Sequence, residues 1–510
     1  SLLLQYELPF CEEPQLRASA GPMRSPELGE DWDRQRSPDS ASELDHGETI
    51  GVADLNRDGR LDIVLGQTSG LQLFLQQADG RLVEASDHVW VHEEALMRIW
   101  LVSLLDLNDD GAIDIYLGRN GRNSVLLNHR SGHFSEVDVG VSMVERFNSV
   151  TTSASFGDLD RDGDYDLVLG LEASGQQPPE DGDPDRLFIQ GPDGFVEESQ
   201  RLVEDLRYGY TYGAPLMDLD NDGWLDIYVM NHMSDHEGDT PLYQNHVLRN
   251  DGTGHFERWE ETGLDVSIAS MGSDVVDLNG DGFMDIMVAG VLENMLLVSA
   301  GGPVWVREDY ARGMILDGKD DRVTAWASTF ADLDNDSMVD VIAGFGPSLR
   351  AHEDEPELQP DAVWLQNEDG SFEQVAEDWG LAQDGFTKAL AVFDYDRDGW
   401  LDVLKSEFDG PAELWLARCG AAHMVQVELD GPSGDPHGLG SRITVQIGEH
   451  VQTRWIHSQG TGLITSVPFE AHFGVGEADF IDRLQVDWLD GTSQIWLDVP
   501  SHQRLRVTHP

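Results

Sequence analysis

The sequence predicts an all-β protein in which a β-propeller is followed by a small β-sandwich. Three observations predict it. A nine-residue, aspartate-rich element recurs seven times between Asp54 and Asp402. Successive copies start 52 to 62 residues apart, which leaves room for about four short strands, the unit of a propeller blade. From Ala421 onward there is no copy, and apolar and polar residues alternate instead.

The head, residues 1–46, is a polar stretch rich in Pro, Ser, Glu and Asp that follows one apolar run, LLLQYELPF. It reads as a strand and a linker. The chain starts at Ser1 without a Met or a signal peptide, as a processed product would.

Residues 47–420 hold the repeats, DLNRDGRLD, DLNDDGAID, DLDRDGDYD, DLDNDGWLD, DLNGDGFMD, DLDNDSMVD and DYDRDGWLD. Positions 1, 3, 5 and 9 offer side-chain oxygens. They are Asp54, Asn56, Asp58 and Asp62; Asp106, Asn108, Asp110 and Asp114; Asp158, Asp160, Asp162 and Asp166; Asp218, Asp220, Asp222 and Asp226; Asp277, Asn279, Asp281 and Asp285; Asp332, Asp334, Asp336 and Asp340; Asp394, Asp396, Asp398 and Asp402. Six hard oxygens or more on a tight loop suit Ca²⁺ rather than Mg²⁺ or Zn²⁺. Position 7 holds Arg60, Ala112, Asp164, Trp224, Phe283, Met338 and Trp400, which share no side-chain chemistry, so its ligand is expected to be the backbone carbonyl. An EF-hand would need a Glu at position 12 and a following helix. Here position 12 is apolar or Lys405, and strand-like runs such as IVLG and IYLG follow. A solvated Asp/Gly turn explains one copy, but not seven in register. Position 6 is Gly except at Ser337, which must accept a positive φ at a cost of about 1 kcal/mol.

After each of the first six elements comes a strand, a Gly-containing turn and a strand, for example VLLNHRSGHFSEV and VLRNDGTGHFERW, the outer hairpin of a blade. The seventh is followed only by AELWLARCG, so its outermost strand is missing. The apolar strand Leu2 to Phe10 is the expected cover for that edge. It would close its own ring or, across a 35-residue linker, join a neighbouring copy and build a filament. Cys11 and Cys419 flank the proposed partners and could be bridged. In residues 421–510, HMVQVEL, SRITVQI, RLQVDW and QRLRVT read as sandwich strands.

These repeats resemble the FG-GAP or VCBS family of integrin α-subunit heads, with Phe156-Gly157-Asp158 and Gly213-Ala214-Pro215 keeping fragments of its pattern. The tail segments His437 to Arg442, His472 to Gly476 and Val486 to Gly491 look like the ASPIC/UnbV module, although WLDG stands where that family usually has a Trp-Pro-Ser-Gly. The resemblance is to the cartilage acidic protein family and its bacterial relatives. It implies a seven-bladed β-propeller with up to seven structural Ca²⁺ on one face, ligands on the other, and no settled activity.

Composition narrows the function. A net charge of −64 on 510 residues repels nucleic acid and anionic membranes. No apolar run is long enough to span a bilayer. Loop calcium sites often need millimolar calcium, which points to an extracellular, cell-surface or periplasmic setting. No G-x-S-x-G, HExxH, CxxC or P-loop occurs, so no catalytic residue is assigned. The long crossing loops, Leu171 to Arg186, Met230 to Asn245 and Phe345 to Asp361, are expected on the face opposite the calcium. The middle one gathers His232, Asp235, His236, Glu237 and Asp239, a candidate acid/base or metal cluster or simply an acidic surface loop. Trp100, Tyr208, Tyr210, Tyr212, Trp326 and Phe386 are candidates for a sugar-stacking mouth, with blade packing as the alternative. Two functions stay open: a non-enzymatic adhesion scaffold binding glycan, protein or its own copies, or an enzyme, a polysaccharide lyase or hydrolase.

Overall fold

The computed structural model describes residues 49–510 apart from 68, 92–95, 139, 141–148, 174–183, 193, 204–210, 233–243, 292, 315–322, 348–358, 383, 408–411, 418–419 and 459–463, together with two N-terminal strands, Leu3–Glu7 and Met23–Arg24. The fold is almost entirely β. Its repeats form seven antiparallel sheets whose inner strands are Thr49–Ala53, Ile99–Leu105, Ser149–Gly157, Thr211–Gly213 with Leu216–Met217, Ser270–Val276, Val323–Ala331 and Thr387–Phe393. Each inner strand lies against that of the next sheet, and the last lies against the first, so the ring is closed.

Within a sheet the inner strand runs into the Asp element and the second strand starts at its ninth residue, as in Thr49–Ala53 and Asp62–Gln67. The second strand then pairs with an outer hairpin, such as Gly70–Gln76 and Leu82–Glu84. Inner strands are buried along their whole length, whereas outermost strands such as Leu82–Glu84 and Gly194–Glu197 face solvent. Core volume therefore comes from Val, Ile, Leu and Ala near the axis and aromatic wedges between blades, among them Trp364, Tyr116 and Phe156.

The N-terminal expectation needs correction. The outer position of the seventh sheet is filled by Met23–Arg24, which pairs antiparallel with Leu416 and Trp415. Leu3–Glu7 instead pairs antiparallel with Gln503–Thr508 in the C-terminal sandwich. The last hairpin strands of the other sheets are only three or four residues long, and Val89–Trp90 at the rim of the second sheet is two, so a two-residue strand suffices there. The alternating run LLQYE matches the longer bare edge offered by QRLRVT. Cys11 and Cys419 lie outside the described residues.

The sandwich packs Leu3–Glu7, Gln503–Thr508, His423–Asp430 and Glu470–Gly476 against His450–Trp455, Arg442–Ile447, Phe480–Asp487 and Ser493–Pro500. Val425, Phe473, Ile443, Ile481 and Leu505 fill its core, which continues without a break into Leu101, Tyr116 and Phe156 of the propeller. It sits directly on the Asp elements. Ser433 Oγ donates to Asp109, His450 Nε2 lies 2.8 Å from the Ser337 carbonyl, and Gly476 N donates to Asn335 O. A segment of the sandwich also enters the axis of the ring. Thr465–Ser466 adds parallel to Thr49–Ala53, Ser466 Oγ accepts from Leu104 N at 3.1 Å, and Ser458 Oγ accepts from Phe156 N at 2.8 Å.

Candidate functional site

All seven Asp elements fold alike. The first aspartate accepts the N–H of position 5 on one oxygen and of position 6 on the other, as Asp54 does from Asp58 and Gly59 and Asp332 does from Asp336 and Ser337. The ninth is fully buried and accepts the N–H of position 2 and one from the outer hairpin or its equivalent, at 2.6 to 3.4 Å across the set. Each carboxylate oxygen so used keeps a lone pair for a cation.

Two backbone positions make this possible. Position 6 has φ between 81° and 96°, and Ser337 takes 81° like the glycines it replaces. Position 4 is left-handed too, at Arg57, Asp109, Arg161, Asn221, Asn335 and Arg397, a requirement that the residue types there do not announce. Its side chain links neighbouring loops: Arg161 donates to Gly223 O, Asn221 to Gly282 O at 3.0 Å and Asn335 to Gly399 O at 3.1 Å.

Carboxylate oxygens converge within 4.8 Å in four loops, from Asp158, Asp160 and Asp166, from Asp218, Asp220 and Asp222, from Asp332, Asp334 and Asp336, and from Asp394, Asp396 and Asp402. In the other three, position 3 is Asn56, Asn108 or Asn279, so the third oxygen there is an amide. Asp160 Oδ1 is buried without a hydrogen-bond donor, as an oxygen awaiting a cation would be. Burial, reinforced by neighbouring carboxylates and opposed by backbone N–H donors, pushes Asp62, Asp114 and Asp285 up to about 7 and Asp166 and Asp226 up to about 8. Asp340 and Asp402 are held well above the usual carboxylate range by the same causes. The donor set is all oxygen, tightly clustered and ill suited to stay ionised alone, which fits a hard divalent cation.

Ser337 by itself suggests that the Asp332 loop loses its ion first. Its surroundings argue the reverse. Asp332, Asp334 and Asn335 are buried, and His472, His450 and Gly476 of the sandwich bond to its rim. In the first loop Arg57, Asp58 and Gly59 are exposed, and among the described residues no hydrogen bond joins it to the sandwich. Crystals grown at limiting calcium are therefore expected to show the lowest occupancy at Asp54 and the highest at Asp332. The opposite ranking would mean that backbone strain outweighs burial.

The face opposite these loops carries a second constellation. Six inner strands hold a bulge at the sixth residue before the loop, at Trp100, Thr152, Tyr212, Met271, Trp326 and Lys388. Bulges re-aim side chains. By sequence offset the matching residue of the first blade is Glu48, which lies outside the described residues. Of the aromatic residues singled out from sequence, Trp100, Tyr212 and Trp326 share this position, and Phe386 packs on Trp326 with ring centroids 5.5 Å apart. Tyr208 and Tyr210 lie outside the described residues, as do Asp235, His236, Glu237 and Asp239. His232 Nδ1 meets Glu172 Oε1 at 3.1 Å and its ring packs on Tyr212. Lys388 was missed by sequence reasoning, although its offset from Asp394 was there to be read.

Comparison with known proteins places these features. Residues 106–169, 218–288 and 332–404 match the family described as FG-GAP-like repeat, and residues 431–510 match ASPIC and UnbV. Cartilage acidic protein 1 of Xenopus tropicalis is 24% identical over 489 residues, covering 88% of this chain and 71% of that protein. The Mus musculus and Homo sapiens proteins are each 26% identical over 182 residues, 34% of this chain and about a quarter of theirs. Among solved structures, an Agrocybe aegerita lectin that recognises non-reducing terminal N-acetylglucosamine is 18% identical, with a TM-score of 0.39 over 73% of this chain and 90% of that one. The chain is thus built of FG-GAP-like repeats followed by an ASPIC and UnbV domain, and it is homologous to cartilage acidic protein 1.

Proposed function

We propose that this protein is a calcium-stabilised, non-enzymatic interaction scaffold working outside the cytoplasm, with its ligand face on the side of the propeller away from the Asp loops. One observation carries the reading: the sandwich packs on the loop face and its Thr465–Ser466 segment reaches the inner strands at the axis, so a ligand is assigned to the other face. Calcium held by the seven loops would be structural, neutralising clustered carboxylates that otherwise repel one another. The proposed ligand oxygens are those of positions 1, 3, 5 and 9, with the carbonyl of position 7. No helix among the described residues is long and apolar enough to cross a membrane.

The pairing of His232 with Glu172 beside Tyr212 favours a second reading, an enzyme cleaving polysaccharide on the same face. A glycan array run alongside an activity screen on acidic polysaccharides separates the two. Retention without new chain ends supports the scaffold. Release of shortened or unsaturated products supports the enzyme, and neither result leaves a protein ligand as the scaffold's partner.

A further inference from the structure

The sandwich touches the Asp elements at residues whose conformation a bound cation would help to set. Position 4 is a non-glycine residue in the left-handed region, at φ 54° in Asp109, 58° in Asn335 and 61° in Arg397, a conformation that persists only where the surroundings over-determine it. The sandwich holds all three. Ser433 Oγ donates to Asp109 Oδ2 at 2.6 Å, His472 Nε2 lies 2.7 Å from Asn335 Oδ1, and Glu470 accepts from both terminal nitrogens of Arg397. Further contacts fall on positions 1 and 6, where His437 Nε2 accepts the Asp106 N–H at 3.0 Å and His450 Nε2 reaches the Ser337 carbonyl.

Two glycines of the sandwich bring its backbone against the loops themselves. A Cβ on Gly474 would collide with Asp332 Oδ2 and Asn335 Cα, and one on Gly434 would collide with Gly163 O and crowd Asp164 Oδ1. Gly474 lies in the strand Glu470–Gly476 and is not left-handed, so close approach alone calls for glycine there. Behind this contact, carboxylate oxygens of Asp332, Asp334 and Asp336 stand within 4.8 Å of one another. Without a cation such a cluster must spread or take up protons. Either change alters the carboxylate on which Gly474 is packed, and no gap absorbs it.

We propose that the sandwich is a calcium-dependent cap: cation binding in the Asp158 and Asp332 loops seats it on the ring, and cation loss opens the joint while both parts stay folded. Such coupling is reciprocal, so the factor by which calcium tightens the seating is also the factor by which a seated sandwich raises calcium affinity in those loops. The Asp54 loop, which no hydrogen bond joins to the sandwich among the described residues, stays outside the coupling. Trp455 and Ile464 share an apolar cluster with Ile50 and Phe393 of the ring, so the opening is local and not a release. The assignment rests on the calcium reading and adds a regulated joint to it.

The test uses the full chain, with Ca²⁺ as the only probe and hydrogen exchange read at three amides that donate across the joint: Leu104 to Ser466 Oγ, Phe156 to Ser458 Oγ and Gly476 to Asn335 O. Withdrawing calcium should speed exchange at all three at least tenfold, while the ladder between Arg442–Ile447 and Phe480–Asp487 inside the sandwich keeps its protection. Gly474→Ala should act from the other side. In crystals grown at limiting calcium it should lower occupancy at the Asp332 loop relative to the Asp54 loop. Gly191→Ala, where a Cβ meets nothing within 4 Å, should leave that ratio unchanged. If Gly474→Ala does not fold, the exchange measurement on the unaltered chain decides alone. Joint amides that exchange alike with and without calcium overturn the cap, even where calcium still raises the melting temperature. Equal loss of protection at the joint and in the sandwich ladder overturns it too, since that is unfolding. If calcium neither binds nor stabilises the chain, the calcium reading itself falls.

Discussion

Stripping calcium from this protein is expected to lower its melting temperature by on the order of 10 °C or more. A site held at a hundred times its Kd contributes about 2.7 kcal/mol, and the unfolding entropy of a chain of 510 residues converts that to about 2.5 °C per site. Emptying several loops reaches the stated drop. The pH dependence should change sign with the metal. In the chelated protein, carboxyls such as Asp62 and Asp166 bind their protons more tightly folded, at about 7 and 8, than unfolded, at about 3.9. Their contribution to stability is complete below pH 4 and is lost as pH rises through 8. With calcium bound the ionised form is favoured, and stability is lost on acidification instead. Melting curves from pH 4 to 8, with calcium and with EDTA, give both slopes. Parallel curves that differ by no more than a degree would remove the cations from the account of stability.

Replacing Glu470 by Ala is expected to cost roughly 3–5 kcal/mol. Glu470 is a buried carboxylate of the sandwich that grips Arg397 of the seventh Asp loop at 2.6 and 3.0 Å and also pairs with Arg504. Burial alone would raise its pKa, but the two guanidinium groups outweigh that and keep it below the usual range. Its removal leaves two arginines without their shared partner at the joint between the sandwich and the ring. The expected readout is a lower, broader melting transition, with limited proteolysis cutting near the joint first. Arg81→Ala is the matching control, since Arg81 and Asp79 are 68% and 64% exposed and such pairs contribute little. Equal effects of the two substitutions would show that the Glu470 network does not hold the sandwich in place.

What could be read from the residues followed periodicity. The Asp elements, the strands after them and the outer hairpins repeat at a fixed offset, so each copy confirms the next. The terminal amides of those hairpins were visible but unused: Asn128 and Asn250 reach back to Leu55 O and Leu159 O of a neighbouring blade's loop. The seating of the sandwich left no such trace. His472 meets Asn335 across 137 residues of sequence, and a single long-range contact has no period. Met23–Arg24 is too short for an alternating pattern, so the longer run LLQYE was matched to its edge instead. Lys388 carries no aromatic signal of its own, although one offset from the loop aspartate picks out the whole ring of bulge residues.

The pairing of Leu3–Glu7 with Gln503–Thr508 has a consequence for presentation. Leu3 lies opposite Val507, so the two extremities of the described chain meet on one edge of the sandwich, on the Asp-loop side of the ring. Any anchor, tag or further domain joined to either extremity departs from that side. Immobilised by either end, the molecule would be held through the same edge of the sandwich, and two such attachments would fix it in the same pose as one.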